Sequence, residues 1–258
     1  MFTPRLALAS LSGRADADWA ARGAELAGAA FLGGIALDEA SREAARTLTE
    51  RDREEFLPDD PHTFVERELR ALSDVPIQPG WNVRTTSIEP LREVAAICAR
   101  HDALLEINAH CRQEELCAIG CGETLLADTD RLSEYVTAAA DVGATVGVKV
   151  RTEVEGVTLV ETVRAIEAAG GSFVHVDAMD SEPIVAELAG RDLTVIANNG
   201  VRGRKTVTEY ARYGADAVSV GRPTEHPAAL SRVADAVAAW RDGRLVGGDA
   251  DPQPEASP

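Results

Sequence analysis

The chain has 258 residues, 43 acidic against 26 basic, for a formal net charge of −17. That length can bury a substantial core, and acidity spread along the whole chain argues against DNA or an anionic membrane surface as partner. No apolar stretch approaches the roughly 20 residues that span a bilayer. The opening Met1-Phe2-Thr3-Pro4-Arg5 has neither the charged region nor the cleavage site of a secretory signal, so a cytoplasmic location is expected.

Only Lys149 and Lys205 are lysines; every other fixed cation is Arg. Scarce Lys, abundant Ala and dispersed Asp and Glu are the surface expected of a salt-adapted protein. Cys98, Cys111, Cys117 and Cys121 are expected to be thiols in that compartment.

Eight short apolar runs follow one another along the chain: Leu6–Ala9, Ala29–Leu32, Trp81–Val83, Leu104–Ile107, Val146–Val150, Phe173–Val176, Thr194–Ala197 and Ala217–Val220. Segments of helical period separate them: Pro90–Arg100, Asp130–Val142, Val157–Ala168, Pro183–Leu188, Arg204–Tyr213 and Pro227–Trp240. Such alternation implies parallel strands with right-handed crossovers. Eight units in this length predict an α/β chain folded as a (β/α)8 TIM barrel over residues 1–241. A doubly wound open sheet is the competing architecture. It needs a Gly-rich turn after the first strand, and Ala9-Ser10-Leu11-Ser12-Gly13 is a poor one.

The long connection from Gly33 to Pro79 carries two amphipathic segments, Asp38–Glu55 and Pro61–Leu72, expected to cover the barrel top. Residues 242–258 are rich in Gly, Asp and Pro and are expected to form a disordered acidic tail.

Two strands end in reactive side chains. The first continues as Glu106-Ile107-Asn108-Ala109-His110-Cys111-Arg112-Gln113, then Gly120-Cys121-Gly122-Glu123-Thr124-Leu125-Leu126; the second is Val148-Lys149-Val150-Arg151. Polar residues at the C-terminal ends of barrel strands are where a barrel carries its chemistry. Strand seven ends in Asn198-Asn199-Gly200-Val201 and strand eight in Gly221-Arg222. Adjacent βα loops of this kind suit a phosphate: glycine lets backbone N–H groups approach an anion, and Asn199 tolerates a left-handed backbone.

In this order the motifs resemble the FMN-dependent barrels of the tRNA-dihydrouridine synthase family, relatives of dihydroorotate and dihydropyrimidine dehydrogenases. The resemblance covers roughly residues 5–225 and is most specific over 104–151. It implies bound FMN and reduction or oxidation of a carbon–carbon double bond, foremost the 5,6 bond of a pyrimidine in tRNA, with a free pyrimidine as the alternative and NAD(P)H or another reductant as electron source.

By that resemblance Lys149 contacts the flavin pyrimidine ring, Asn108 and Asn82 hydrogen-bond flavin or substrate, and Cys111 is the general acid. Asn199, Gly200, Val201, Gly221 and Arg222 hold the FMN phosphate. Arg112 and Arg151 follow strand ends at the predicted mouth and are expected to face the substrate. The family pattern departs in three places. Cys111 is followed by Arg112 where the family has Pro. Asp177, with His175 two residues before it on the same strand face, stands where the family has a strand-six His, and both are expected at the cofactor. The last helical segment in sequence is Pro227–Trp240, so a counterpart of the family's C-terminal helical domain is not expected.

Other chemistries compete for the same residues. A buried Lys149 would also suit a Schiff-base aldolase, and the altered strand-six motif would suit a barrel that binds without catalysis. The spacing of Cys111, Cys117 and Cys121 matches no common metal or iron–sulfur ligand set, and no metal is expected.

Overall fold

The computed structural model describes residues 2–245. Eight parallel strands close into a barrel in sequence order, β1 (Leu6–Leu8), β2 (Ala29–Ala36), β3 (Gln78–Arg84), β4 (Leu104–Asn108), β5 (Thr145–Arg151), β6 (Phe173–Asp177), β7 (Thr194–Asn198) and β8 (Ala217–Val220). The barrel closes through β1 and β8, where Ala7 faces Ser219 in register.

Strand alternation sorts side chains between two cores. On β5, Val146, Val148 and Val150 face outward into the large apolar core shared with the helices. The residues between them, Gly147, Lys149 and Arg151, face the axis. The axial filling has two storeys. The lower one is apolar: Ala7, Ala29, Phe31, Phe173, Ile196 and Ala217 form a buried cluster of their own. Phe31 and Phe173 meet there with ring centroids 5.6 Å apart. Glycines make room for the rings. A Cβ on Gly147 would lie 2.4 Å from Phe173 Cδ2, and one on Gly80 would lie 2.8 Å from Phe31 Cδ1. The upper storey is polar and leads to the barrel mouth.

Outside run α1 (Ala17–Gly23), α2 (Glu39–Thr49), α3 (Pro61–Ala71), α4 (Ile88–Arg100), α5 (Glu114–Ala118), α6 (Glu123–Ala127), α7 (Thr129–Ala140), α8 (Leu159–Ala168), α9 (Ile184–Leu188), α10 (Arg204–Arg212) and α11 (Pro227–Arg241). Caps fix several starts. Asp16 accepts from Trp19 N ahead of α1, and Asp60, just before Pro61, accepts from His62 N and Thr63 N ahead of α3. A side-chain cap is worth about 1 kcal/mol.

The expected helix Asp38–Glu55 ends early, at Thr49, because the chain reverses at Asp52 (φ 58°) and Phe56 then bridges to Ile35. Only α2 of the two expected cover helices lies over the top, against α5; α3 is the β2–β3 crossover and packs on α4. Strands β2 and β3 run longer than expected. Breaker residues hide their extensions: Gly33 and Gly34 sit at a bulge in β2, and Pro79 lies near the start of β3, where a missing N–H is tolerated.

The short helices α1, α5 and α6 had no periodic signal of their own. Residues 242–245 form a turn whose Leu245 is buried, so the expected tail does not begin at 242; residues 246–258 lie outside the described residues. Among the described residues no helix is long and apolar enough to cross a membrane.

Candidate active site at the barrel mouth

The upper storey is one hydrogen-bonded chain across the barrel, centred on Glu106 of β4. Glu106 is completely buried. Its Oε1 accepts from Asn82 Nδ2 on β3 at 2.6 Å, and its Oε2 meets His175 Nδ1 on β6 at 2.6 Å. His175 Nε2 meets Ser219 Oγ on β8 at 2.6 Å, and Ser219 Oγ accepts from Asn198 Nδ2 on β7 at 2.7 Å. In the other direction Asn82 Oδ1 accepts from Asn108 Nδ2 at 2.9 Å. Asn108 Oδ1 in turn accepts from Cys111 N at 3.2 Å and lies 3.3 Å from His110 Nδ1.

The protonation of this chain follows from its surroundings. Burial alone would raise the Glu106 carboxyl, but His175, Lys149 and Asn82 outweigh it and hold it below the usual carboxylate range. Burial lowers the His175 imidazole, and Lys149 adds to that against the pull of Glu106. The pair is therefore carboxylate and neutral imidazole. Nδ1–H of His175 donates to Glu106, Nε2 accepts from the Ser219 hydroxyl, and every member has a partner.

Above this chain the mouth is cationic. Lys149 is 3% exposed and faces Asn108 and His175 in register on the neighbouring strands. Among the described residues its ammonium makes no ion pair and no side-chain hydrogen bond within reach. Arg151, also buried, donates through Nε to Thr152 O at 3.2 Å and lies 3.9 Å from Glu123. Arg84 is committed elsewhere. It pairs with buried Glu55 at 2.6 Å and also donates to Ser12, which ties the end of β3 to the segment after α2 and to the loop after β1. His110 is half-buried beside these cations. Burial, then Lys149, His175, Arg84 and Arg151, drives its pKa well below the ordinary value, so its ring is neutral.

The loops after β7 and β8 border a cleft of about 680 Å³ lined by Asp177, Asn198, Asn199, Gly200, Val201, Ser219, Gly221 and Arg222 among others. Asn199 adopts φ 84° and donates to Asp177 Oδ1 at 2.9 Å. Gly200 has φ 64°, and a Cβ there would meet nothing within 4 Å; one on Gly221 would come no closer than 3.8 Å to Leu11.

The structure thus gathers Asn108, Lys149, Arg151, Asp177, Asn199, Gly200, Val201, Gly221 and Arg222 at one end of the barrel. It sets Asn82 and His175 below them, where their polar atoms are engaged by Glu106, Asn108 and Ser219. They support the mouth from beneath and are not in position to meet a cofactor directly. The Cys111 side chain packs with Ala44, Leu48, Leu116 and Cys121 under α2. Arg112 is exposed on the turn before α5.

Sequence reasoning gave no role to Glu106, His110, Asn198 or Ser219. The signal for Glu106 was present: a carboxylate inside Leu104-Leu105-Glu106-Ile107-Asn108, in phase with Asn108 and so inward-facing. Ser219 carried no signal, since its role depends on β8 lying next but one to β6 in the barrel.

No family model matches the chain. An uncharacterized protein of Methanocaldococcus jannaschii, MJ0144, is 26% identical over 231 residues, covering 84% of this chain and 88% of that protein. Among solved structures, FabK from Thermotoga maritima superposes with a TM-score of 0.57 at 13% identity. The match takes in 86% of this chain but only 63% of the FabK chain. The tryptophan synthase A-subunit of Pyrococcus furiosus superposes with a TM-score of 0.57 at 15% identity, over 92% of this chain and all of that one. The chain is a TIM barrel. At these identities the likeness speaks for the fold and leaves the chemistry to the site.

Proposed function

We propose that the barrel is an FMN-dependent oxidoreductase acting on a carbon–carbon double bond, foremost the 5,6 bond of a pyrimidine in tRNA. The observation that carries this reading is Lys149, a residue only 3% exposed whose ammonium, at the C-terminal end of a barrel strand, reaches the mouth with no protein counter-charge within ion-pair reach among the described residues. A charge in a narrow, largely closed mouth gains from a counter-charge or hydrogen bonds, so the site favours an anionic or strongly polar partner. The motif resemblance over residues 104–151 makes that partner a flavin.

The residues fit the group. Gly200 and Gly221 leave open backbone at the β7–β8 end for a phosphate, with Arg222 on its rim. Asp177 and Glu225 are the two poorly matched charges of the cleft; the bond from Asn199 offsets part of the first, and Arg14 pairs with the second. When bound, FMN would supply two-electron hydride chemistry. The chain's own part is to hold and orient. Lys149 stabilises negative charge on the bound ring, and Asn108 presents its amide, fixed by Asn82. Arg151 and Arg112 face the substrate. Cys111, whose backbone N–H is anchored to Asn108, is the proton donor of this reading, and its thiol must turn out of its packing under α2 to act.

Two measurements test this reading. Purified protein titrated with FMN should give a perturbed flavin spectrum and quenched fluorescence. Deletion of the gene should remove dihydrouridine from nucleoside digests of the cell's tRNA. Flavin uptake with unchanged dihydrouridine would move the substrate to a free pyrimidine. No flavin uptake, together with borohydride trapping of a carbonyl compound on Lys149, would replace the reading with a Schiff-base enzyme.

A further inference from the structure

The hydrogen-bonded chain has a direction, and Glu106 sets it. A carboxylate only accepts, so Asn82 must turn its NH₂ toward Glu106 Oε1 and its carbonyl toward Asn108. Asn108 must then donate its NH₂ to Asn82 Oδ1 at 2.9 Å, which leaves Oδ1 as the atom facing His110. A lone pair on His110 Nδ1 aimed at that oxygen would be repulsive. Nδ1 therefore carries the hydrogen, and in the neutral ring Nε2 carries the lone pair. Among the described residues Nε2 of His110 has no protein partner, and it is not one of the buried unpartnered atoms, so it is accessible to a ligand. A fixed acceptor thus sits among donors: the ammonium of Lys149 and the free guanidinium nitrogens of Arg151.

We propose that His110 reads a ring N–H of the ligand through Nε2. One acceptor with two donors near it suits a cyclic imide, in which an N–H lies between two carbonyls. Lys149 and Arg151 meet the carbonyl oxygens, and His110 accepts from the nitrogen between them. This deepens the reading above and rests on it only for the source of the imide, since both a uracil ring and a flavin carry that edge. Asn82 acts through Asn108 and His110 and is a positioning residue. No covalent step is involved, and His110 keeps its tautomer throughout.

The test has a spectroscopic arm and a binding arm. In ligand-free protein labelled with ¹⁵N-histidine, two-bond ¹H–¹⁵N correlations should show His110 protonated at Nδ1 and bare at Nε2 at pH 7. A ring bearing its hydrogen on Nε2 would overturn the proposal. In the binding arm, uridine is compared with N3-methyluridine and riboflavin with N3-methylriboflavin, by calorimetry on wild type and on His110→Ala.

Wild type should discriminate against at least one methylated partner by about tenfold or more, the value of one lost hydrogen bond, and His110→Ala should erase the difference. Discrimination in the uridine pair alone, without riboflavin binding, supports the proposal and removes the flavin reading. Discrimination in the riboflavin pair alone assigns the imide to the cofactor. Equal binding within both pairs, or binding of neither ring, overturns it. His110→Gln, which retains a carbonyl acceptor, should restore part of the discrimination if His110→Ala proves too unstable to purify.

Discussion

The two storeys of the barrel interior are built on the same eight strands with the same alternation, yet they do different work. The lower storey holds Phe31, Phe173, Ile196 and small residues, and its contribution is packing. The upper storey holds Asn82, Glu106, Asn108, Lys149, His175 and Ser219, all 3% exposed or less. Buried polar groups of this kind give less stability than apolar filling of the same volume, because desolvation opposes every hydrogen bond formed. What the upper storey provides is a single arrangement of donors and acceptors at the mouth. Packing tolerates exchange of one apolar residue for another of similar volume, whereas a hydrogen-bonded chain fails at its weakest member.

The sharpest way to break this contrast is Glu106→Ala. It strips His175 Nδ1 and Asn82 Nδ2 of their acceptor and removes a negative charge that Lys149 acts on. We expect a loss of about 3–5 kcal/mol in guanidinium unfolding, the scale for removing one partner of a buried pair, together with loss of ligand binding. Phe173→Ala should cost a comparable or slightly smaller amount, about 3 kcal/mol, by leaving a cavity. Ligand affinity of the protein that remains folded should be unchanged. If Phe173→Ala abolished binding as Glu106→Ala does, the storeys would not be separable.

Lys149→Met should leave FMN bound but move its midpoint potential about 30–60 mV negative, the equivalent of one charge-assisted hydrogen bond of about 1.5–3 kcal/mol in a two-electron couple. Spectroelectrochemistry on both proteins measures it, and an unmoved potential would remove Lys149 from the flavin site.

The smallest effect is in the pH dependence. His110 and His175 have folded pKa values below that of the unfolded chain. The unfolded state therefore binds protons that the folded state does not. Stability is full above the ordinary histidine value of about 6.5 and declines as pH falls below it, by up to about 1.4 kcal/mol per pH unit for each ring. Glu106, held low, adds a further loss only as pH falls below about 4.5. The variant His110→Asn should flatten the first decline by about half, read from unfolding midpoints between pH 5 and 7.

The barrel was legible in the sequence because outward-facing Val, Ile and Leu mark each strand and amphipathic helices separate them. The ends of β4 and β5 were legible for the opposite reason: Asn108, Lys149 and Arg151 interrupt apolar runs. What could not be read was pairing across the axis. Glu106 and His175 are 69 residues apart and His175 and Ser219 are 44 apart, so no local pattern links them. His175 and Asn82 were assigned to the cofactor because strand position predicts direction but not depth, and depth is what commits their polar atoms to Glu106 and Asn108. Cys111 was similarly placed by motif, while its packing against α2 depends on where the long β2–β3 connection settles.

The glycines beside Phe31 and Phe173 have a consequence for traffic. Two rings fit across the barrel floor only because Gly80 and Gly147 bring no side chain there. They make the barrel a cup with one port instead of a pipe with two. Water and protons can exchange with the Glu106–His175 pair only through the mouth, so whatever occupies the mouth also decides when that pair can exchange with solvent.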